Sequence, residues 1–455
     1  VKWFSMPAIT GKAIFFAPLL ICLTVVFIQM MRTGYQEPVA DALGYADRAV
    51  IFSVTPTEKT WGNGIVVAPF YPAFLNLMMQ ADPAVEVALK CYAARSDGCD
   101  VGGLAAVYTV QAVVVALTVY FSFLACLFMS GKYGLSFGVM VLILAAGRLT
   151  EYTDWLITEA WAFFGFMGFV ASLSYAARVR DSLWAFLLMG LGLSLSVLTR
   201  PSYLYLVYSF IIVIPLYWWI VMKGKPVATL MKTAVFIIPF LSLVIPWMFR
   251  NLYYFDVFGV SAGYGSYILS ERVAYNMMSW SEYAASFIYW LPDFGDSLSK
   301  TLFDPALYQK LDFGASDGYY RYGNSVLRST IYAAAETDKE RVSLLVNDYI
   351  LGDLVKHIFV TFSLALRGMW VAKYLGLIGV FFMIPAFFLY KRMTGVGPLL
   401  LFAYPFFFMV GFNAFVSVSI PRYNVPVVLL YAMAIVICGL AVFQVVKNRC
   451  LPRVA

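Results

Sequence analysis

With 62% of its 455 residues hydrophobic, 13% charged and a mean hydropathy of +0.80, the chain carries more apolar surface than a water-soluble domain of its size can hide. The net charge of +7 falls in short basic clusters at the ends of apolar runs, which excludes a nucleic-acid-binding surface and points to a chain sorted across a bilayer.

A hydrocarbon core of about 30 Å takes about 20 apolar residues in a helix. Ten runs approach that length: Ala13–Met31, Gly103–Met129, Gly134–Gly147, Trp155–Ala177, Leu183–Thr199, Ser202–Met222, Met231–Phe249, Leu375–Tyr390, Pro398–Val418 and Val425–Val446. The first lacks a small-residue cleavage site after it and reads as an anchor. A further run, Ile358–Val371, is too short for a span and is expected to lie along the membrane surface. Lys2, Lys12, Lys132, Arg178, Arg180, Lys223, Lys225, Lys391, Arg392, Lys447 and Arg449 all fall on one side when ten helices are threaded. Basic residues near spans stay in the cytoplasm during insertion, so both termini are expected there. The fold class expected is an all-α polytopic membrane protein, divided as a core at 1–249, a loop at 250–373 and C-terminal helices at 374–455.

The opposite face carries two long segments, 32–101 and 250–373, and loops of that length usually hold function. The first contains GYQEPVADALGYADRA, with Glu37, Asp41, Asp47 and Arg48 close to the end of the first span. Carboxylates cost roughly 2.5–3.5 kcal/mol at mid-bilayer, so these should line a wet cavity or the surface. Asp41 and Tyr45, four apart, would share one face of a short helix. Pro69–Gln80 reads as an interfacial helix. Cys91 and Cys99 flank a turn-rich stretch where a disulfide is expected in an oxidising compartment. A second acidic cluster, Glu151, Asp154 and Glu159, lies between the third and fourth runs, and Glu159 also suits the positive end of a helix. The second long segment shows no strand periodicity and is expected to be helical and irregular.

In order along the chain, DALGYADRA, PFYPAFL, TEYTDWLITEAWAFF, LTRPSYLYL, IPWMFRN and IPRYNVPV resemble the GT-C superfamily of polyprenyl-phosphate-sugar-dependent glycosyltransferases, nearest its protein mannosyltransferase and lipid A aminoarabinose transferase branch. The likeness covers the first seven spans and the long loops best. It implies a GT-C-like bundle of about ten transmembrane helices with juxtamembrane helices in the two extracytoplasmic loops. It implies a polyprenyl-phosphate-linked sugar donor and a glycan, lipid or protein acceptor.

By position in D-x-x-G-Y, Asp41 is the counterpart of the family's general base, with Asp47 the rival. Asp154 or Glu159 would orient the acceptor or hold a divalent cation, Mg²⁺ or Mn²⁺, with Asp41; no His-rich or Asp-x-Asp signature supports a metal. The departing phosphate needs cations at the outer membrane edge, and Arg148, Arg200, Arg250 and Arg422 qualify, with Arg200 and Arg250 the leading pair. Tyr45, Asn251, Tyr264 and the single histidine, His357, are candidates for substrate contact. The family's Asp-Glu pair and an inserted β-trefoil are both missing, which argues against a protein acceptor. A transporter or flippase of a lipid-linked or small solute is the alternative, against which the charges sit at helix ends and no internal repeat is visible.

Overall fold

A computed structural model describes residues 13–38, 41–53, 67–179, 182–261 and 264–450. Lys2, Lys12 and Arg180 lie outside the described residues. Every regular element among those described is helical, with no strand. Nine stretches among them are long and apolar enough to cross a membrane, which makes the chain a polytopic helical membrane protein.

Eight of the nine coincide with expected spans. Two expected spans are shorter helices, Tyr133–Ala146 with 14 residues and Leu183–Thr199 with 17. At 1.5 Å per residue they reach about 21 and 26 Å. The ninth stretch, Asp338–Met369, includes the run expected to be too short to span. Its length is composite: Asp353 interrupts the helix with φ −144° and ψ 67°, and the apolar part after it is a separate helix of 16 residues.

The chain forms two compact units. The first holds the described residues up to Val260 together with Gly379–Ala403 and those from Val428. Its helices are α1 (Ala13–Thr33), α2 (Asp41–Ser53), α3 (Phe70–Ala81), α4 (Pro83–Ala93), α5 (Ala105–Ser130), α6 (Tyr133–Ala146), α7 (Glu159–Arg178), α8 (Leu183–Thr199), α9 (Leu204–Leu216), α10 (Pro226–Pro239) and α11 (Ile245–Phe255). Helix α7 is its centre, packed by α5 and α8; α10 lies on α8, and α1 and α6 on α5. At the α7–α8 crossing a Cβ on Gly165 would lie 2.5 Å from the Gly192 carbonyl, and one on Gly192 would lie 2.6 Å from the Gly165 carbonyl. Only hydrogen fits at either position, and the backbones close to a distance at which Ser196 Oγ donates to the Ala162 carbonyl at 3.0 Å. Wide π turns follow Pro215 and Pro239, at Tyr217–Val221 and Phe240–Val244, where proline removes a backbone donor and displaces the preceding turn.

Helices α2, α3 and α4 form a small platform, with α2 packed on both of the others. Ala42, Ala46 and Ala49 recur every three or four residues and are buried, giving α2 a smooth face for close approach. Asn76 Nδ2 donates to the Ala49 carbonyl at 3.0 Å and ties α3 to α2. The expected Cys91–Cys99 disulfide is present at the end of α4.

The second unit comprises Ser261–Ile378 and Tyr404–Val427. It contains α12 (Gly265–Ala274), α13 (Trp280–Tyr289), α14 (Gly295–Leu302), α15 (Tyr319–Tyr322), α16 (Arg328–Ala334), α17 (Asp338–Leu344) and α18 (Leu354–Met369). The remaining long helices are α19 (Tyr374–Thr394), α20 (Val396–Val416) and α21 (Val428–Cys450). A buried polar spine runs through this unit. Arg272, wholly buried, donates to the carbonyls of Ala414 (2.6 Å) and His357 (3.0 Å), to Thr361 Oγ1 (2.9 Å) and to Asn276 Oδ1 (3.0 Å). Helix α18 is amphipathic in reverse: Lys356 and His357 are buried, whereas Val355, Ile358, Phe359 and Phe362 are exposed. That order suits lipid on the outside and a hydrogen-bonded interior.

Candidate functional site

Helix α2 begins at Asp41, placing a carboxylate in its first turn, where the helix dipole favours negative charge. Asp41 is exposed. One turn on, Tyr45 packs edge-on against Tyr71 of α3, ring centroids 5.2 Å apart. Its hydroxyl hydrogen-bonds with Thr158, and its surroundings include the charges of Glu159, Arg200 and Asp41. Burial, and then the Glu159 carboxylate, push the phenol upward from its ordinary value, while Arg200 opposes them. Tyr45 therefore stays neutral, with its proton, at physiological pH.

Glu159 opens α7 and is 1% exposed; Arg200, just after α8, is 20% exposed. They meet at 2.6 Å, and Thr158 Oγ1 donates to the other Glu159 oxygen at 3.2 Å. The pair joins the ends of the two most closely packed helices, so the Gly165–Gly192 contact below sets its alignment. Four sequence candidates, Asp41, Tyr45, Glu159 and Arg200, are thus gathered in one neighbourhood.

The other acids of the cluster have different partners. Glu151 pairs with Arg148 at 2.8 Å near the surface. Asp154 is 4% exposed and hydrogen-bonds with the side chains of Thr33 and Gln36; burial raises its carboxyl above the ordinary range, and these bonds offset part of the rise. The backbone N–H of Gln36 also donates to the Asp154 carbonyl at 3.3 Å, so Asp154 fastens the 150–158 loop to the end of α1.

Arg250 lies against the rings of Trp247, Phe255 and Tyr254 at 4.6–5.3 Å and donates to Asn251 Oδ1 at 2.7 Å. Asn251 is wholly buried and its Nδ2 donates to the Gly259 carbonyl at 2.7 Å, closing the chain reversal after α11. Tyr264, His357 and Arg422 belong to the second unit. Tyr264 is exposed and stacks on Tyr267, and Arg422 lies 5.9 Å from the Tyr423 ring. His357 has Nδ1 3.0 Å from Asn276 Nδ2 and Nε2 3.0 Å from the Phe415 carbonyl. The amide donates to Nδ1 and the Nε2–H donates to the carbonyl, so both ring nitrogens are used in holding the fold. Among the described residues no group of three or more His, Cys, Asp or Glu side chains is assembled as a metal site.

Sequence reasoning passed over Gln111, which is wholly buried and accepts a hydrogen bond from Tyr71 at 2.7 Å. Its signal was an amide in the otherwise apolar stretch VQAVVVAL, a costly residue to place in a span. Arg272 was likewise missed: it lies in α12, inside the 250–373 segment expected to be a wet loop, where a charged residue attracts no notice. No protein-family model matches the chain, and no curated protein matches it.

Proposed function

We propose that the protein is a membrane glycosyltransferase that moves a sugar from a polyprenyl-phosphate donor to an acceptor hydroxyl at the extracytoplasmic boundary. The observation that carries this reading is the convergence of Asp41, Tyr45, Glu159 and Arg200 from three separated stretches of chain. The Cys91–Cys99 disulfide supports an oxidising side for the platform that carries Asp41, with both termini cytoplasmic.

In this reading Asp41 accepts the proton of the acceptor hydroxyl, whose oxygen attacks the anomeric carbon as the bond to the phosphate oxygen breaks. Configuration inverts, and polyprenyl phosphate leaves with the bonding electrons. Arg200 supplies charge for that phosphate. Arg200 pairs with Glu159 through Nη1, and its side chain keeps 20% exposure, so an anion can approach the guanidinium. Glu159 is then an orienting group rather than a proton carrier, because it is 1% exposed and already paired. Tyr45, kept protonated, gives its O–H to Thr158, whose own proton goes to Glu159, so its phenol oxygen is left to accept a hydrogen bond from a sugar hydroxyl.

The test is turnover of a panel of radiolabelled polyprenyl-phosphate sugars by purified protein in lipid. Asp41→Asn should lower transfer at least 100-fold in a folded protein; unchanged turnover would remove the central assignment. A transporter reading has one observation in its favour. The chain unwinds after α20, and Asn413, Ser417, Ser419 and Asn424 are buried there, with Asn413 Nδ2 donating to Asn424 Oδ1 at 3.0 Å. Polar side chains at a break between apolar helices are a common transporter device. Donor-independent solute uptake into proteoliposomes, with no sugar released, would favour it.

A further inference from the structure

Gln111 lies in α5 within an apolar span, and every polar atom of its side chain is engaged. Its Nε2 donates to the carbonyls of Trp155 at 2.9 Å and Thr153 at 3.2 Å, while its Oε1 accepts from the Tyr71 hydroxyl at 2.7 Å. These partners lie 40 to 44 residues away in sequence, on two different structures. Tyr71 belongs to α3, and its ring carries Tyr45, four residues from Asp41. Thr153 and Trp155 belong to the loop that runs into Thr158 and Glu159.

We infer that Gln111 is a positioning residue that sets the Asp41–Tyr45 platform against the Glu159–Arg200 pair; the inference rests on reading that cluster as the reacting centre. The chemistry selects an amide. Two carbonyls must be met by donors and one hydroxyl by an acceptor, and a primary amide offers both from one planar group. An ionised carboxylate would repel both carbonyls, and a thioether would leave all three partners without a bond. Buried in the protein, these groups have no water at hand, so the loop and α3 would shift to find other partners. Displacement of about 1 Å at a reacting centre can cost 10²-fold in rate.

Methionine has nearly the length and volume of glutamine without its hydrogen bonds, so Gln111→Met separates hydrogen bonding from packing. Spin labels on cysteines replacing Leu77 of α3 and Trp155 of the loop, both exposed, report the spacing that Gln111 holds. The unpaired cysteines are first replaced. In protein reconstituted in lipid, Gln111→Met should broaden or displace the label-to-label distance distribution, and Tyr71→Phe should do so in part. With a donor that the wild type turns over, Gln111→Met should lower kcat 10- to 100-fold and change the donor KM less than threefold. A distribution identical to wild type in folded Gln111→Met protein overturns the inference, as does an unchanged kcat. If the wild type turns over no donor, the glycosyl-transfer reading fails while the distance measurement still decides whether Gln111 sets this spacing.

Discussion

Three acids within nine residues, Glu151, Asp154 and Glu159, look alike in sequence yet have three different environments. Glu151 shares a surface pair with Arg148, Asp154 is buried against the end of α1, and Glu159 is sealed under Arg200. Glu151 finds its partner three residues away, whereas Asp154 takes Thr33 and Glu159 takes Arg200, both far off in the chain, so local pattern could not tell which acid did what. The Glu159–Arg200 pair makes a testable asymmetry. Arg200→Gln leaves a buried carboxylate without its counter-ion and should cost roughly 2–3 kcal/mol, below the full figure for a buried pair because Arg200 is 20% exposed. Glu159→Gln combined with Arg200→Gln should cost less than Arg200→Gln alone, since no uncompensated charge remains. Denaturation midpoints of the two single variants and the double variant in lipid nanodiscs check this; additivity would show that the pair is not coupled. On the same scale, Asp47→Asn should leave transfer within threefold of wild type in the radiolabel assay.

At the scale of elements, α12 carries a group with no sequence signature. Glu271 is 6% exposed, and its Oε1 has no hydrogen-bond partner among the described residues. Burial raises its carboxyl from 4.5 to about 7, against the opposing influence of Arg328 and a hydrogen bond from Tyr320. Gly323 permits this burial, because a Cβ there would lie 2.7 Å from the Glu271 Cα. The raised value means that the folded unit keeps a proton which the unfolded chain releases above pH 4.5. Stability should therefore fall as pH rises from about 4.5 to 7 and level off beyond, by about 3 kcal/mol at the limit. Glu271→Gln should flatten that slope and gain on the wild type at pH 8 but not at pH 4. Thermal midpoints across this range decide it, and an unaltered slope in the variant would place the titration elsewhere. Helix α17 begins at a capping box, Thr337 with Glu340, inside a stretch that reads as continuously helical. At Asp353 a signal was present but passed over: Gly352 precedes it, and its side chain caps α18 by accepting from the Lys356 backbone N–H at 3.0 Å.

For the whole molecule, orientation is the property that remains to be measured, and the disulfide and the basic clusters give opposite ends of one prediction. In intact cells, a membrane-impermeant maleimide should label Cys91 and Cys99 after mild reduction. It should fail to label a cysteine replacing Arg392 until the membrane is opened. Labelling of both from outside would overturn the proposed orientation. Losing the cross-link between residues eight apart should cost about 2–3 kcal/mol by the loop-entropy argument, felt at the α4 end.

Hydrophobicity, charge asymmetry and helix length were readable directly, because a bilayer imposes its thickness and its dielectric on every span alike. The sequence by itself thus determined a polytopic helical protein, placed α2 and α3 in the long segment after the first span, and marked Asp41, Tyr45, Glu159 and Arg200 as residues to watch. Only the tertiary structure decided that these four lie together, that His357 and Asn251 serve the fold, and that Gln111 links α3 to the loop before α7. Apart from the local Asn251–Gly259 bond, those outcomes depend on hydrogen bonds and close backbone crossings between residues far apart in the chain, whose partners are chosen by packing and leave no periodic trace in the sequence.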